Sequence, residues 1–239
     1  MNKMKCLLLL ALCAMATGSM TSCLNSDDDG FDSRFTEEEL STYLTKLSGI
    51  YVGKLMFYHN GQNKAGTRDS MMLDSIENVR WRIARDSTIV IDNFPDSIYN
   101  NAITGNSDFR KILVNAPEKM LKCKYTPYKG LTQNNTVAYG FWVLPDGTVK
   151  NNANGNAMYT ATQITEEDDK QYDVEYGYVA YATSDIEGFL SYYQASGYLS
   201  ATYDMDFCLI MADIKCPGVQ SFMTRTYPIL LKGKKLYAE

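Results

Sequence analysis

The sequence contains a single histidine, His59, and no two cysteines in a C-x-x-C arrangement. Structural zinc sites are built chiefly from cysteine and histidine, so one histidine leaves such a site short of ligands. A Ser-His-Asp or Cys-His hydrolase would have to be assembled around His59, which lies in a turn predicted from His59-Asn60-Gly61. A glycine-rich phosphate-binding loop is also missing. We therefore predict no catalytic residues, no metal site and no cofactor.

Long apolar runs are equally scarce. Only residues 6–16 form a marked apolar run, and they follow the lysines Lys3 and Lys5 and lead into small residues. A positive start, a short apolar stretch and small residues are typical of a secretory signal peptide. The run falls short of the roughly 18 residues that a membrane-spanning helix needs, and no later run approaches that length. The sequence therefore predicts that residues 1–22 are removed.

The residues around the predicted cleavage site carry a resemblance. Met20-Thr21-Ser22-Cys23 resembles the lipobox of bacterial lipoproteins, and Ser26, Asp27, Asp28 and Asp29 resemble the short acidic export signal of Bacteroidetes lipoproteins. The resemblance implies that Cys23 is acylated and that the protein is anchored to the outer membrane, facing the cell exterior. The whole chain looks like an uncharacterised lipoprotein family of gut Bacteroidetes. The alternative is an ordinary secreted protein with an unmodified cysteine.

Charge limits the partners. The full sequence carries a net charge of −5, and loss of Lys3 and Lys5 with the signal peptide makes the mature chain more negative. Nucleic acid and anionic lipid headgroups require clustered Lys and Arg, so neither is expected as a partner. The late basic residues 232–235 are interpreted as a solvated chain end. We expect residues 23–34 to be a lipidated acidic tether and residues 35–239 to form one β-rich domain.

One helix is predicted after the tether. Thr36 is a good N-cap, Glu39 completes a capping box, and Phe35 can pack on Leu40 as a hydrophobic staple. A single apolar stripe is formed by Leu40, Tyr43, Leu44 and Leu47, and Gly49 is expected to end the helix. An amphipathic helix of this kind should pack against whatever follows it.

Alternating apolar and polar residues indicate nine or ten strands in the rest of the chain. Residues 96–116 are the least strand-like part, and residues 107–114 are a candidate short helix. Residues 184–198 suit either a helix or a strand, with strand slightly favoured. Many strands joined by short turns predict an all-β fold, either an antiparallel barrel or a sandwich.

The first predicted strand carries a weak likeness to lipocalins. A capped helix followed by Ser48-Gly49-Ile50-Tyr51-Val52-Gly53 resembles the opening of lipocalin-type barrels, which have Gly-x-Trp there and a late arginine packed across it. Tyr51 stands in place of the tryptophan, and Arg225 is the candidate for the arginine. The resemblance implies a closed antiparallel barrel.

Three cysteines remain after processing, Cys123, Cys208 and Cys216. On an extended run, the eight residues from Cys208 to Cys216 span about 26 Å, far beyond the roughly 7 Å that a disulfide allows. A bridge from Cys123 to one of the others stays open, but we expect no disulfide.

Tyrosine is the remaining notable feature, with 18 residues. Its flat apolar ring and polar tip suit stacking on sugars or a protein interface, although β cores also use tyrosine heavily. The candidate ligand-binding residues are crowded into one stretch of sequence: Tyr172, Tyr176, Tyr178, Tyr192, Tyr193 and Tyr198.

Acidic groups provide the alternative chemistry. Asp204 and Asp206 lie on one strand face and resemble a carboxylate pair for glycoside hydrolysis, although an outward polar face is the simpler interpretation. The acidic run 166–169 lacks the alternating oxygen ligands that calcium loops use. Two hypotheses follow: a non-enzymatic cell-surface module that binds a glycan, a small apolar ligand or a protein, or an extracellular glycan hydrolase.

Overall fold

Strands make up most of the described part of the chain. The structure is a computed structural model, and it describes residues 31–62, 68–103, 107–114, 118–132, 134–151, 157–167, 170–186, 189–200, 204–218 and 227–237. The predicted signal peptide, Cys23 and the acidic export signal lie outside these ranges, as do Asp168, Asp169 and Arg225. Contacts divide the chain into Met1–Asp32 and a second unit, Ser33–Glu239, which is the one described below.

The helices are short. They are α1 (Glu37–Leu47), a 3-10 helix (Asp96–Ala102) and α2 (Ser107–Val114). The capped helix and the short helix predicted for residues 107–114 are therefore confirmed. Neither α-helix in the described ranges has the length and apolar character needed to cross a bilayer.

The strands follow one another with few interruptions. They are β1 (Gly49–Gln62), β2 (Arg68–Ala84), β3 (Thr88–Phe94), β4 (Lys119–Leu131), β5 (Val137–Pro145), β6 (Thr148–Asn151), β7 (Ala157–Glu167), β8 (Lys170–Val179), β9 (Tyr181–Ile186), β10 (Phe189–Gln194), β11 (Ser196–Leu199), β12 (Asp204–Lys215) and β13 (Tyr227–Tyr237). In the ambiguous stretch 184–198, the described residues lie in β9, β10 and β11 apart from Ala195, so the strand that the sequence slightly favoured is the form observed there.

Eight strands close into an antiparallel barrel. Their order is β11-β5-β4-β3-β2-β1-β13-β12, and β12 pairs again with β11. The prediction of an all-β antiparallel fold is confirmed, and of its two forms the barrel is the one observed. The up-and-down order is consistent with the lipocalin likeness. The edge of β12 that pairs with β11 pairs further along with β8. The strands β7 and β6 continue from β8 as a ribbon, and β9 and β10 form a separate hairpin.

The turn predicted at His59 is wrong. His59 pairs with Met71 inside the β1–β2 ladder, and the pairing continues as far as Gln62 and Arg68. The Asn-Gly dipeptide favours a turn locally, but the cross-strand hydrogen bonds of a long hairpin outweigh this local preference.

Large side chains fill the barrel interior. Trp81 stacks on Tyr51 with ring centroids 5.9 Å apart, and it meets Phe207 edge-on at 5.7 Å. Gly233 faces the tip of the indole, where a Cβ atom would collide with it. Tyr51 and Trp81 have no exposed surface and Phe207 only 1%. A cavity large enough for a water molecule beside these rings would give them solvent-accessible surface. They have almost none, so no ligand has room there.

Helix α1 closes one end of the barrel. Thr36 Oγ1 accepts from the Glu39 backbone N–H and the Glu39 carboxylate accepts from the Thr36 N–H, so the predicted capping box is confirmed. At the helix C-terminus, Tyr51 Oη donates to the Leu47 carbonyl at 2.6 Å. Gly49 then takes a φ of 149°, which favours glycine, and the chain enters β1.

Lys235 of β13 packs over Tyr51, while Arg225, the candidate from the lipocalin likeness, lies outside the described residues. Lys235 Nζ lies 5.9 Å from the Tyr51 ring centroid and donates to the Lys46 carbonyl at 2.7 Å. A positive charge is favourable there because a helix C-terminus carries partial negative charge. Lys235 therefore links the last strand to the helix.

The 3-10 helix and α2 pack into the same core, at the far ends of β1 and β3. Ile98, Tyr99 and Phe109 are fully buried. The Tyr99 ring lies 6.2 Å from Phe57 of β1 and 5.0 Å from Tyr176 of β8. The segment between β3 and β4 thus joins the barrel to the ribbon.

The three cysteines are free thiols, which confirms that they form no disulfide. Cys123 and Cys216 are buried, and burial raises the pKa of Cys208 to about 12. All three are therefore protonated and unreactive at neutral pH.

Candidate binding site

Two of the six candidate tyrosines are core residues. Tyr176 and Tyr178 are 1% and 2% exposed, and the Tyr178 and Tyr99 hydroxyls hydrogen-bond each other. Tyr172, on the same face of β8, is half-buried against this core. Their shared face is therefore directed inward, and Tyr176 and Tyr178 offer no open surface to a ligand.

The other three candidates lie close to the barrel wall. Tyr192 and Tyr193 belong to β10, and their side chains lie outside the described part of the structure. Tyr198 belongs to β11 and is 53% exposed. Its hydroxyl donates to Asp206 Oδ2 at 3.1 Å. Of the candidates with described side chains, only Tyr198 stands open to solvent.

Two aromatic residues that the sequence analysis missed stand on neighbouring strands. Trp142 of β5 lies between the buried residues Phe141 and Val143, so its side chain points to the outer face. Tyr128 of β4 packs on it with ring centroids 4.8 Å apart. Both rings are half-buried. We call Tyr128, Trp142 and Tyr198 the aromatic platform.

Gly140 provides the space beneath the platform. It pairs directly with Tyr128, and a Cβ atom added there would come within 2.5 Å of Tyr128 Cζ and Oη. The tyrosine ring therefore lies over the glycine backbone. Ser196 pairs with Trp142 and Gly197 with Phe141, so the next residue, Tyr198, continues on the same outer wall beside Gly140.

Charged residues border the platform. Asp206 pairs in register with Lys232, whose Nζ lies 3.1 Å from Asp206 Oδ2. This carboxylate raises the pKa of Lys232 because it accepts a hydrogen bond from the ammonium group. Asp204 pairs in the same way with Lys234, at 3.9 Å. The interpretation of the two aspartates as an outward polar face is confirmed.

Ion pairs continue around the outer wall. Lys54 contacts Glu77 at 2.7 Å, and Lys122 contacts Asp146 at 3.5 Å. At Tyr128, Trp142 and Tyr198, on β4, β5 and β11, aromatic rings stand on the outer wall instead, although Lys122 near the start of β4 still forms an ion pair. In the sequence, the pattern that indicates these outer rings is Trp142 between two apolar residues, two positions after Gly140.

A shallow groove of about 270 Å³ runs beside α1. It is lined by Thr36, Glu38, Glu39, Thr42, Tyr43, Lys46 and Tyr139. The Lys129 ammonium donates to Glu39 at 2.8 Å, and Phe35 stacks on Tyr43 and Tyr139 at 5.8 and 5.6 Å. These contacts attach the helix to the barrel, so we assign the groove a structural role.

The ion pair predicts a pH dependence. The Lys129 hydrogen bond holds the pKa of Glu39 below its ordinary value of 4.5. A lowered carboxyl pKa contributes stability above pH 4.5 that is lost as the pH falls through the lowered value. Glu39→Gln, which retains capping ability, should therefore be less stable than wild type at pH 7, and the difference should be smaller at pH 3. Urea unfolding at both pH values measures this, and an equal difference at both would contradict it.

Metal ligation finds no support in the described ranges, where no group of three or more His, Cys, Asp or Glu side chains is placed to hold an ion. Glu166 and Glu167 end β7, while the rest of the predicted acidic run lies outside these ranges.

Comparison with known proteins gives a family. The family model of a domain of unknown function, DUF4840, matches residues 46–196. The match begins in the last turn of α1 and ends at Ser196, so it includes Tyr128 and Trp142 but not Tyr198. No curated protein and no solved structure matches the chain. Because the match covers more than half of the 239 residues, the chain belongs to the family of the domain of unknown function DUF4840.

Proposed function

We propose that this protein is a lipid-anchored, non-enzymatic binding module on the outer surface of a bacterial outer membrane. The signal peptide, Cys23 and the acidic residues 26–29 support the anchor and its location. The protein holds its ligand on the outer wall of the barrel, at the aromatic platform.

Aromatic rings inside the barrel and on its outer wall differ in exposure, and this contrast supports the proposal. Interior rings such as Trp81 and Tyr51 have no exposed surface, whereas Tyr198 on the outer wall is 53% exposed. An eight-stranded barrel is just wide enough for side chains to fill it or for one small ligand to bind inside. Here side chains occupy the interior around Trp81, so the outer wall is the surface that a ligand reaches.

The alternative of a glycan hydrolase finds no favourable geometry at Asp204 and Asp206. Glycoside hydrolysis uses two carboxyl groups that flank the scissile bond in one site. Asp206 and Asp204 are instead ion-paired with Lys232 and Lys234, at 3.1 and 3.9 Å, on the outer wall. These ion pairs fit the outward polar face of β12 better than a catalytic pair.

Thiol labelling of intact cells tests two points together: whether the protein faces the cell exterior, and whether the outer wall at Tyr198 is open to solvent. The variant Tyr198→Cys places a thiol at an exposed position, while the three native thiols of the described chain are protonated and mostly buried. We expect a membrane-impermeant maleimide to label Tyr198→Cys on intact cells well above wild type.

The matched control is Met205→Cys, at a fully buried position of β12. It should react only after denaturation. Labelling of Tyr198→Cys that requires cell lysis would contradict the surface location, and equal labelling of both variants on folded protein would contradict the open face.

A further inference from the structure

We infer that the aromatic platform of Tyr128, Trp142 and Tyr198 is a binding site for a neutral carbohydrate. This inference rests on the proposed function and names the ligand class of the same surface. It is carried by three properties of the site: the presentation of the rings, the charge of the border, and the size of the surface.

The rings stand on the outer wall of the barrel, where Tyr198 is 53% exposed and Tyr128 and Trp142 are half-buried. Gly140 lets the Tyr128 ring lie close to the sheet, and Trp142 packs on that ring from the neighbouring strand. An aromatic face carries negative electrostatic potential, and it attracts hydrogens of partial positive charge. The C–H groups on one face of a pyranose ring are such hydrogens, so a sugar can stack on the platform.

The border offers hydrogen bonds without net charge. The Asp206 carboxylate accepts and the Lys232 ammonium donates, and the two are paired with each other at 3.1 Å. The Tyr198 hydroxyl is already oriented by its bond to Asp206. A polyhydroxyl ligand can use both kinds of group. A polyanion would meet an ion-paired lysine on a protein of net charge −5, which repels it.

The size of the platform favours a short segment of a glycan over a protein partner. An aromatic side chain buries about 150–250 Å², so three rings offer at most about 750 Å². Two of the three are half-buried, which lowers this area further. A stable protein interface requires about 800 Å² on each partner. A few stacked sugar units need much less surface.

Affinity electrophoresis of the full-length lipidated protein in detergent tests the inference. The gels contain starch, mixed-linkage β-glucan, xylan or α-mannan as neutral probes, polygalacturonate as an anionic probe, or no polysaccharide. We expect at least one neutral polysaccharide to retard the wild type. Trp142→Ala and Tyr198→Ala should each weaken this binding by about 5- to 150-fold, as loss of a stacking ring does for nucleic-acid bases.

Two variants test the geometry. Gly140→Ala removes no ring but would displace Tyr128, so it should also weaken binding. Tyr198→Phe keeps the ring and loses only the bond to Asp206, so its effect should be smaller than that of Tyr198→Ala. Met120→Ala, at a 66% exposed position of β4, is the control and should bind as wild type does. Thermal unfolding verifies that each variant is folded.

Two results would overturn the inference: no retardation by any neutral probe, with or without retardation by polygalacturonate, or wild-type binding by a folded Trp142→Ala. New reducing ends in the polysaccharide would overturn the non-enzymatic part of the proposed function and leave the carbohydrate assignment standing. If neutral probes fail while maleimide labels Tyr198→Cys on intact cells, the carbohydrate assignment falls and the surface location stands.

Discussion

Replacing Cys23 with serine should abolish acylation and release the mature protein from the outer membrane. The lipid is expected to be joined through the thiol, and a serine hydroxyl does not take its place. Each buried methylene of an acyl chain contributes about 0.8 kcal/mol to membrane attachment, and a single chain gives only marginal, reversible binding. The loss of several chains therefore removes the whole anchor.

The measurement is the distribution of the protein between membrane pellet, detergent phase and soluble fraction, with the mass of the N-terminal peptide. Wild type should sediment and enter the detergent phase, and Cys23→Ser should stay in the aqueous phase. Cys13→Ser, inside the predicted signal peptide, is the matched control and should behave as wild type. An acylated Cys23→Ser protein that still sediments would show that the anchor lies elsewhere.

Truncation of Trp81 should cause the largest loss of stability among single core substitutions. We expect Trp81→Ala to lower the free energy of unfolding by about 3–5 kcal/mol, the usual cost of removing a large buried aromatic side chain. The indole contacts Tyr51, Phe207 and Gly233 at the centre of the barrel, where closed strands limit any collapse into the space left behind.

The variant Trp81→Phe distinguishes the loss of ring packing from the loss of the indole N–H group. The indole Nε1 is buried and has no hydrogen-bond partner within the described residues, so its removal relieves a desolvated donor. Phenylalanine keeps an apolar ring, and its cost should be well below that of alanine. Urea unfolding of the wild type and both variants measures the difference. A loss of less than about 1 kcal/mol for Trp81→Ala would mean that this interior can repack.

Local features were predicted well because their causes are local. The capping box of α1 joins Thr36 and Glu39, three residues apart, and the end of the helix follows from Ser48 and Gly49. The alternation of apolar and polar residues predicted the strands. The turn at His59 failed where pairing with β2 outweighed a dipeptide preference.

The aromatic platform was not predictable in the same way. Tyr172, Tyr176 and Tyr178 are neighbours in sequence, yet their face is directed into the core. Tyr128 and Tyr198 lie 70 residues apart, yet both stand on the wall formed by β4, β5 and β11. Nearness in sequence does not give nearness on a surface, because strand register decides which side chains share it.

The sequence by itself predicted the signal peptide and the lipidation site, and it determined the capped helix and the all-β class. All of these depend on residue type and short spacing. Only the tertiary structure decided that the strands close into a barrel, that its interior around Trp81 is filled, and that rings from three strands stand on its outer wall. The physical reason is that closure pairs β11 with β12 and β1 with β13, and the latter two strands are separated by most of the chain. Such pairings depend on every strand between them, and no local pattern encodes them.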